Sequence, residues 1–106
     1  MEALQYPIGR FEARPDYTAA MLKGFINDIR YLPQLVEIAV QQLDEYQLQT
    51  PYRPGGWTVA QVVHHLADSH MNGYIRMKLA LTEEQPVIKP YEEAAWAELP
   101  DVKFTP

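Results

Sequence analysis

Apolar residues recur at three- and four-residue intervals in two long stretches of the chain. In the first, Met21, Leu22, Phe25, Ile26, Ile29 and Leu32 keep the rhythm of a half-buried helix, and Leu35, Val36, Ile38, Ala39, Val40 and Leu43 continue it. Pro33 stands between the two runs, so the pattern predicts one kinked helix, or two end to end, over 17–44. Asp16 or Thr18 is the candidate cap. The second stretch starts after Pro54-Gly55-Gly56, a break in any regular element. Thr58 with Gln61 three residues on forms a capping-box signature, and no Pro follows until Pro86. This predicts a helix over 58–81. At about 100° per residue, Val59, Val62, Val63, Leu66, His70, Tyr74, Met77 and Leu81 share one side of it. His65, Ser69, Asn72 and Arg76 form a polar line beside them, and Met71, Ile75 and Leu79 lie beyond. A helix that is apolar on both sides of a polar line faces either a lined pocket or a partner chain.

The remaining segments are short. Residues 1–16 read as an extended arm punctuated by Tyr6-Pro7-Ile8-Gly9 and Arg14-Pro15, because the residue before each Pro is pushed out of helical geometry. Asp44 to Gly56 is a connection in which Asp44 caps a short turn carrying Tyr46 and Leu48. Residues 91–99 form a short helix with Trp96, and Pro100 to Pro106 is a tail without helix signals. No stretch reads as a strand. The chain is all-α, with two long helices that do not close a core alone, so it is part of a helical bundle or one protomer of a helical homodimer.

Composition narrows the classes of function. The 106 residues are 47% hydrophobic and 22% charged, the balance of one small globular domain. A net charge of −5 without any basic cluster argues against nucleic acid and against an anionic membrane surface as partners. The chain has no cysteine, which removes disulfides, thiolate metal sites and a Cys nucleophile. Met1 to Arg10 lacks the apolar core of a signal peptide, and no apolar run approaches the ~20 residues of a membrane span. The expected location is cytoplasmic.

The candidate chemistry lies in the second long helix, where His64, His65 and His70 are the chain's three histidines. Neutral imidazole is the commonest metal ligand, but His65 and His70 are about 140° apart on a helix and cannot share one ion. His64 reads as an exposed side chain paired with Asp68, and His70 as a buried imidazole with one hydrogen-bonded nitrogen. The line of His65, Ser69, Asn72 and Arg76 suits a solvated face and a functional face equally. Spacing alone yields no complete metal site, no Ser-His-acid arrangement and no catalytic residue.

The run Thr50-Pro51-Tyr52-Arg53-Pro54-Gly55-Gly56-Trp57-Thr58, continued by Val62-Val63-His64-His65-Leu66-Ala67-Asp68-Ser69-His70-Met71-Asn72, resembles the DinB superfamily and, within it, the YfiT-type metal-dependent hydrolases. Tyr6-Pro7-Ile8-Gly9, Tyr74-Ile75-Arg76, Leu81-Thr82-Glu83-Glu84 and Lys89-Pro90-Tyr91 with Trp96 agree, so the resemblance covers about residues 6–100. It implies an up-down four-helix bundle, of which this chain supplies the first two long helices and a short third segment. It also implies a divalent metal, zinc or nickel, held by three histidines. His65 matches the first of these, and the other two belong to a His-x3-His pair on a later helix that these 106 residues do not contain. Ser69, Asn72 and Arg76 then lie along a candidate pocket, with Arg76 suited to an anionic group of a small-molecule substrate or, as an alternative, to a pair with Glu83. The implied chemistry is hydrolysis by activated water or transfer of a low-molecular-weight thiol such as bacillithiol. The alternative is a non-catalytic half-domain that dimerises or assembles with a partner.

Overall fold

A computed structural model describes residues 2–103. Six helical segments follow in order: α1 (Glu2–Gln5), α2 (Ala19–Val40), α3 (Glu45–Leu48), α4 (Val59–Thr82), α5 (Glu93–Ala97) and a 3-10 turn at Pro100–Lys103. Among the described residues there is no strand, only an isolated antiparallel bridge between Pro51 and Thr58. The expected arm over 1–16 is therefore not wholly extended, because Glu2–Gln5 form one helical turn. The expected tail is also corrected. Pro100 lacks an N–H but suits the start of a helical turn, and Val102 N donates to Leu99 O at 3.2 Å to close it. Residues 104–106 of that tail, and Met1 of the arm, lie outside the described residues.

Local capping sets the boundaries. Thr18 Oγ1 accepts from Met21 N at 3.1 Å and starts α2. Asp44 and Gln47 exchange side-chain and backbone hydrogen bonds around α3, and Thr58 and Gln61 do the same around α4. Pro33 stays inside α2, which continues as one helix of 22 residues. Its missing N–H costs a single backbone bond on a helix that has turns enough on either side. α4 ends at Thr82, with Glu83 N still bonded to Leu79 O, before Pro86.

α4 is the element the others lean on: α3, α5 and the 3-10 turn all pack against it. The core is thin and made of small side chains, with Ala60, Ala97 and Val102 its buried members among the described residues. One long-range bond pins it, as Gln61 Nε2 donates to Ala97 O at 2.9 Å. By contrast α2 has no buried residue, and its Phe25, Ile26, Ile29, Leu35 and Ile38 all stand about half in solvent. The accessible surface is 9073 Å² for a 12.2 kDa chain, where a compact monomer of that mass exposes about 6,100 Å². The radius of gyration, 16.1 Å, likewise exceeds the roughly 13 Å of a compact chain this long. Among the described residues the apolar faces of the two long helices stay largely uncovered. No helix among the described residues is long and apolar enough to cross a membrane.

Candidate functional site

The loop before α4 fixes the surroundings of His65. Val59 N donates to Thr50 O at 3.1 Å, Tyr52 N to Trp57 O at 2.9 Å and Gly56 N to Arg53 O at 2.9 Å, so residues 50–59 double back on themselves. Gly56 is needed in that turn, since a Cβ there would stand 2.6 Å from Arg53 Cγ and 3.0 Å from Tyr52 Cε1. Gly55 takes the left-handed φ of 73° that favours glycine. The turn delivers Trp57 to the first turns of α4, where its ring meets His65 with centroids 5.0 Å apart and planes at 59°. His65 is half-buried, and neither ring nitrogen is hydrogen-bonded among the described residues. An imidazole held by ring packing alone keeps its lone pair available.

Further along the polar line the partners change. Asn72 Nδ2 donates to Asp68 O at 2.8 Å, so its amide is engaged with the helix backbone. Ser69 is exposed and Arg76 half-buried. Arg76 Nε is cut off from solvent without an acceptor, and no carboxylate pairs with its guanidinium among the described residues, Glu83 included. Tyr91 reaches this part of α4 from the segment before α5, its ring against Trp96 at 4.7 Å. Its hydroxyl is also out of solvent with no partner at hydrogen-bond distance, and the Ser69 hydroxyl is the polar group that comes near it. Burial raises its pKa, Glu93 and Asp68 add to the rise, and Ser69 and Arg76 act against it. The sequence pattern missed Tyr91 as a site residue. Its Lys89-Pro90-Tyr91 setting belongs to the family resemblance, yet nothing local says that the ring returns to Arg76.

The line is thus two places. Eleven residues separate His65 from Arg76, about 16 Å along a helix axis. His65 belongs with Trp57, while Ser69 and Arg76 belong with Tyr91.

Two expectations about the other histidines are corrected. His64 faces Asp101 of the 3-10 turn, Nδ1 to Oδ2 at 4.0 Å, rather than Asp68, because that turn packs along the first turns of α4. His70 has one nitrogen bonded as expected, Nδ1 to Leu66 O at 2.7 Å, but its side chain is exposed. It lines a groove between α2 and α4, a cavity of about 360 Å³ with Ile29, Pro33, Val36 and Leu66, and no element closes it. A carbonyl only accepts, so the neutral His70 ring carries its proton on Nδ1.

These residues do not make a metal centre by themselves. Among the described residues no three His, Asp or Glu side chains converge where one ion could be held, and a stable site for a metal such as zinc takes three or four protein donors. His65 is a single donor.

Comparison with known proteins supplies the context. A family model described as the DinB superfamily matches residues 29–103. Proteins of Bacillus cereus (strain B4264) and Bacillus thuringiensis subsp. konkukian (strain 97-27), each named "Putative metal-dependent hydrolase", are 57% identical over 104 residues. The match takes in 98% of this chain and 60% of each relative. Among solved structures, YfiT from Bacillus subtilis, described as "a probable metal-dependent hydrolase with an unusual four-helix bundle topology", superposes with a TM-score of 0.91 at 52% identity. That superposition covers 95% of this chain and 58% of YfiT. The chain spans about three fifths of the length of the relatives it matches.

Proposed function

The chain belongs to the DinB superfamily, and from that premise we propose that it carries one donor and the adjoining pocket wall of a YfiT-type metal-dependent hydrolase. The observation that carries this reading is His65, a half-buried imidazole steadied by Trp57 with both nitrogens free of protein partners. His65 is the residue that binds the metal, zinc or nickel. Among the described residues no three His, Asp or Glu side chains converge on one point, so a complete site needs donors that they do not supply together. Trp57 orients the imidazole and screens one side of it from water. Hydrolysis is the reaction class, with transfer of a low-molecular-weight thiol the finer alternative, and the residues present perform no step of either unaided.

A second reading rests on the open faces of α2 and α4. The roughly 3,000 Å² of accessible surface per chain beyond that of a compact monomer exceeds the roughly 1,000–2,500 Å² that each partner of an obligate interface buries. It supports assembly with a second copy or with a complementary helical segment.

Metal content per chain tests the first reading. The protein and His65→Ala are each purified without added metal, alone and mixed with the unmatched two fifths of a Bacillus cereus relative. The expected result is negligible metal in the chain alone and about one divalent ion per mixed complex, lost with His65→Ala. Metal retention indifferent to His65→Ala would remove His65 from the site and leave the assembly reading.

A further inference from the structure

Two hydrogen-bonding atoms are shut away from water without partners, Arg76 Nε and the Tyr91 hydroxyl. They belong to the same locality, because Arg76, Ser69 and Asp68 all bear on the charge state of the Tyr91 phenol. Buried polar groups are nearly always paired, so two orphans in one place need an explanation. The guanidinium has no counter-ion among the described residues either, although the side chain is half-buried. Both can donate: Nε–H only donates, and the phenol, which can also accept, has a proton to offer. Neither has an acceptor at hydrogen-bond distance, although the Ser69 hydroxyl lies close enough to the phenol to act on it.

We propose that Arg76 and Tyr91 form the binding point for the carboxylate group of a small-molecule ligand, with the Ser69 hydroxyl at its edge. This names the substrate class for the site read above and rests on that reading. The planar guanidinium fork matches a carboxylate in geometry, and a phenol supplies a third donor without adding charge. Asp68 and Glu93 put negative potential at the phenol, which works against any anion there and about twice as strongly against a dianionic phosphate as against a monoanion, so the pull on a carboxylate comes from Arg76. The bound anion supplies the acceptor that both side chains want.

The test needs no metal. The metal-free protein, with chelator present, is titrated with acetate while the side-chain Nε–H signal of Arg76 is followed by ¹⁵N NMR. Chloride at equal ionic strength and inorganic phosphate serve as comparisons. The expected result is a saturable shift of the Arg76 signal with acetate, weaker with phosphate and absent with chloride. Affinity falls about tenfold in Arg76→Lys, which keeps the charge and loses the fork, and by a similar factor in Tyr91→Phe. Circular dichroism establishes that each variant is folded, and either one alone suffices. No saturable shift, equal response to chloride, or unchanged affinity in a folded variant overturns the proposal. Acetate binding by a chain that takes up no metal even in the mixed complex would sink the metalloenzyme reading alone. Metal uptake without acetate binding would sink the carboxylate subsite alone.

Discussion

Gln61 does two jobs at once, and separating them tests how this small core is held. Its Oε1 accepts from Thr58 N at 2.9 Å while Thr58 Oγ1 accepts from Gln61 N at 3.1 Å, the reciprocal cap of α4. Its Nε2 donates to Ala97 O at 2.9 Å, across 36 residues of sequence. Ala97 is buried, so its carbonyl has no water to fall back on. Gln61→Ala leaves the Thr58 Oγ1 cap on Gln61 N in place but loses the bond from Thr58 N, about 1 kcal/mol, and the bond to Ala97 contributes about another 1 kcal/mol. Gln61→Ala should therefore destabilise by about 2 kcal/mol, or roughly 8–16 °C in Tm for a domain of this size. Thr58→Ala, which touches only the cap, should cost about half as much. Gln61→Glu is the decisive variant. A carboxylate serves the capping box at least as well as an amide, and it suits the positive end of the helix dipole. It cannot donate to Ala97, and instead sets a negative oxygen against a carbonyl. Thermal and urea unfolding by circular dichroism should place Gln61→Glu about 1–2 kcal/mol below the parent despite its better cap. Equal or greater stability would refute the claim that the Gln61–Ala97 bond holds α5 to α4.

Two other outcomes follow from the same structure. Burial raises the Tyr91 phenol above its ordinary 10.0, so the folded state holds this proton more tightly than the unfolded chain does. The resulting stabilisation is complete below pH 10 and is lost as pH climbs through the folded-state value. Ultraviolet titration should find one of the seven tyrosines ionising late, absent in Tyr91→Phe; identical curves for parent and variant would contradict it. Leu35 and Ile38, 59% and 64% exposed on α2, should drive association. Leu35→Glu with Ile38→Glu is expected to yield a helical monomer in sedimentation equilibrium, and undiminished association would place the contact on another face.

What the chain made legible divides by distance along it. The caps at Asp44 and Thr58 were readable because donor and acceptor sit three residues apart, while at the start of α2 residue type left Asp16 and Thr18 open and the structure picks Thr18. The family and its helical fold were readable from separated motifs, from Tyr52 through Arg76 to Trp96. The 3-10 turn at Pro100–Lys103 was not, since it forms against the first turns of α4 and carries no cap of its own. Periodicity also said which face of each helix is apolar without saying whether anything covers it, and so His70 was expected inside but stands exposed in an unclosed groove.

The polar line argues the same point at the site. Helical phase puts His65, Ser69, Asn72 and Arg76 on one side of α4, and phase is a property of sequence. Partners are a property of the rest of the fold. A turn that needs Gly56 brings Trp57 to His65. Asn72 satisfies itself on the backbone of Asp68. A segment beginning beyond Pro90 lays Tyr91 beside Ser69 and Arg76. One line in sequence therefore becomes two environments, an imidazole with free nitrogens and a cation lacking an acceptor, about 16 Å apart along the helix. A ligand spanning both would need its carboxylate that far from the atom presented at His65. Each end is open to its own measurement, metal at His65 and carboxylate at Arg76, and neither result fixes the other.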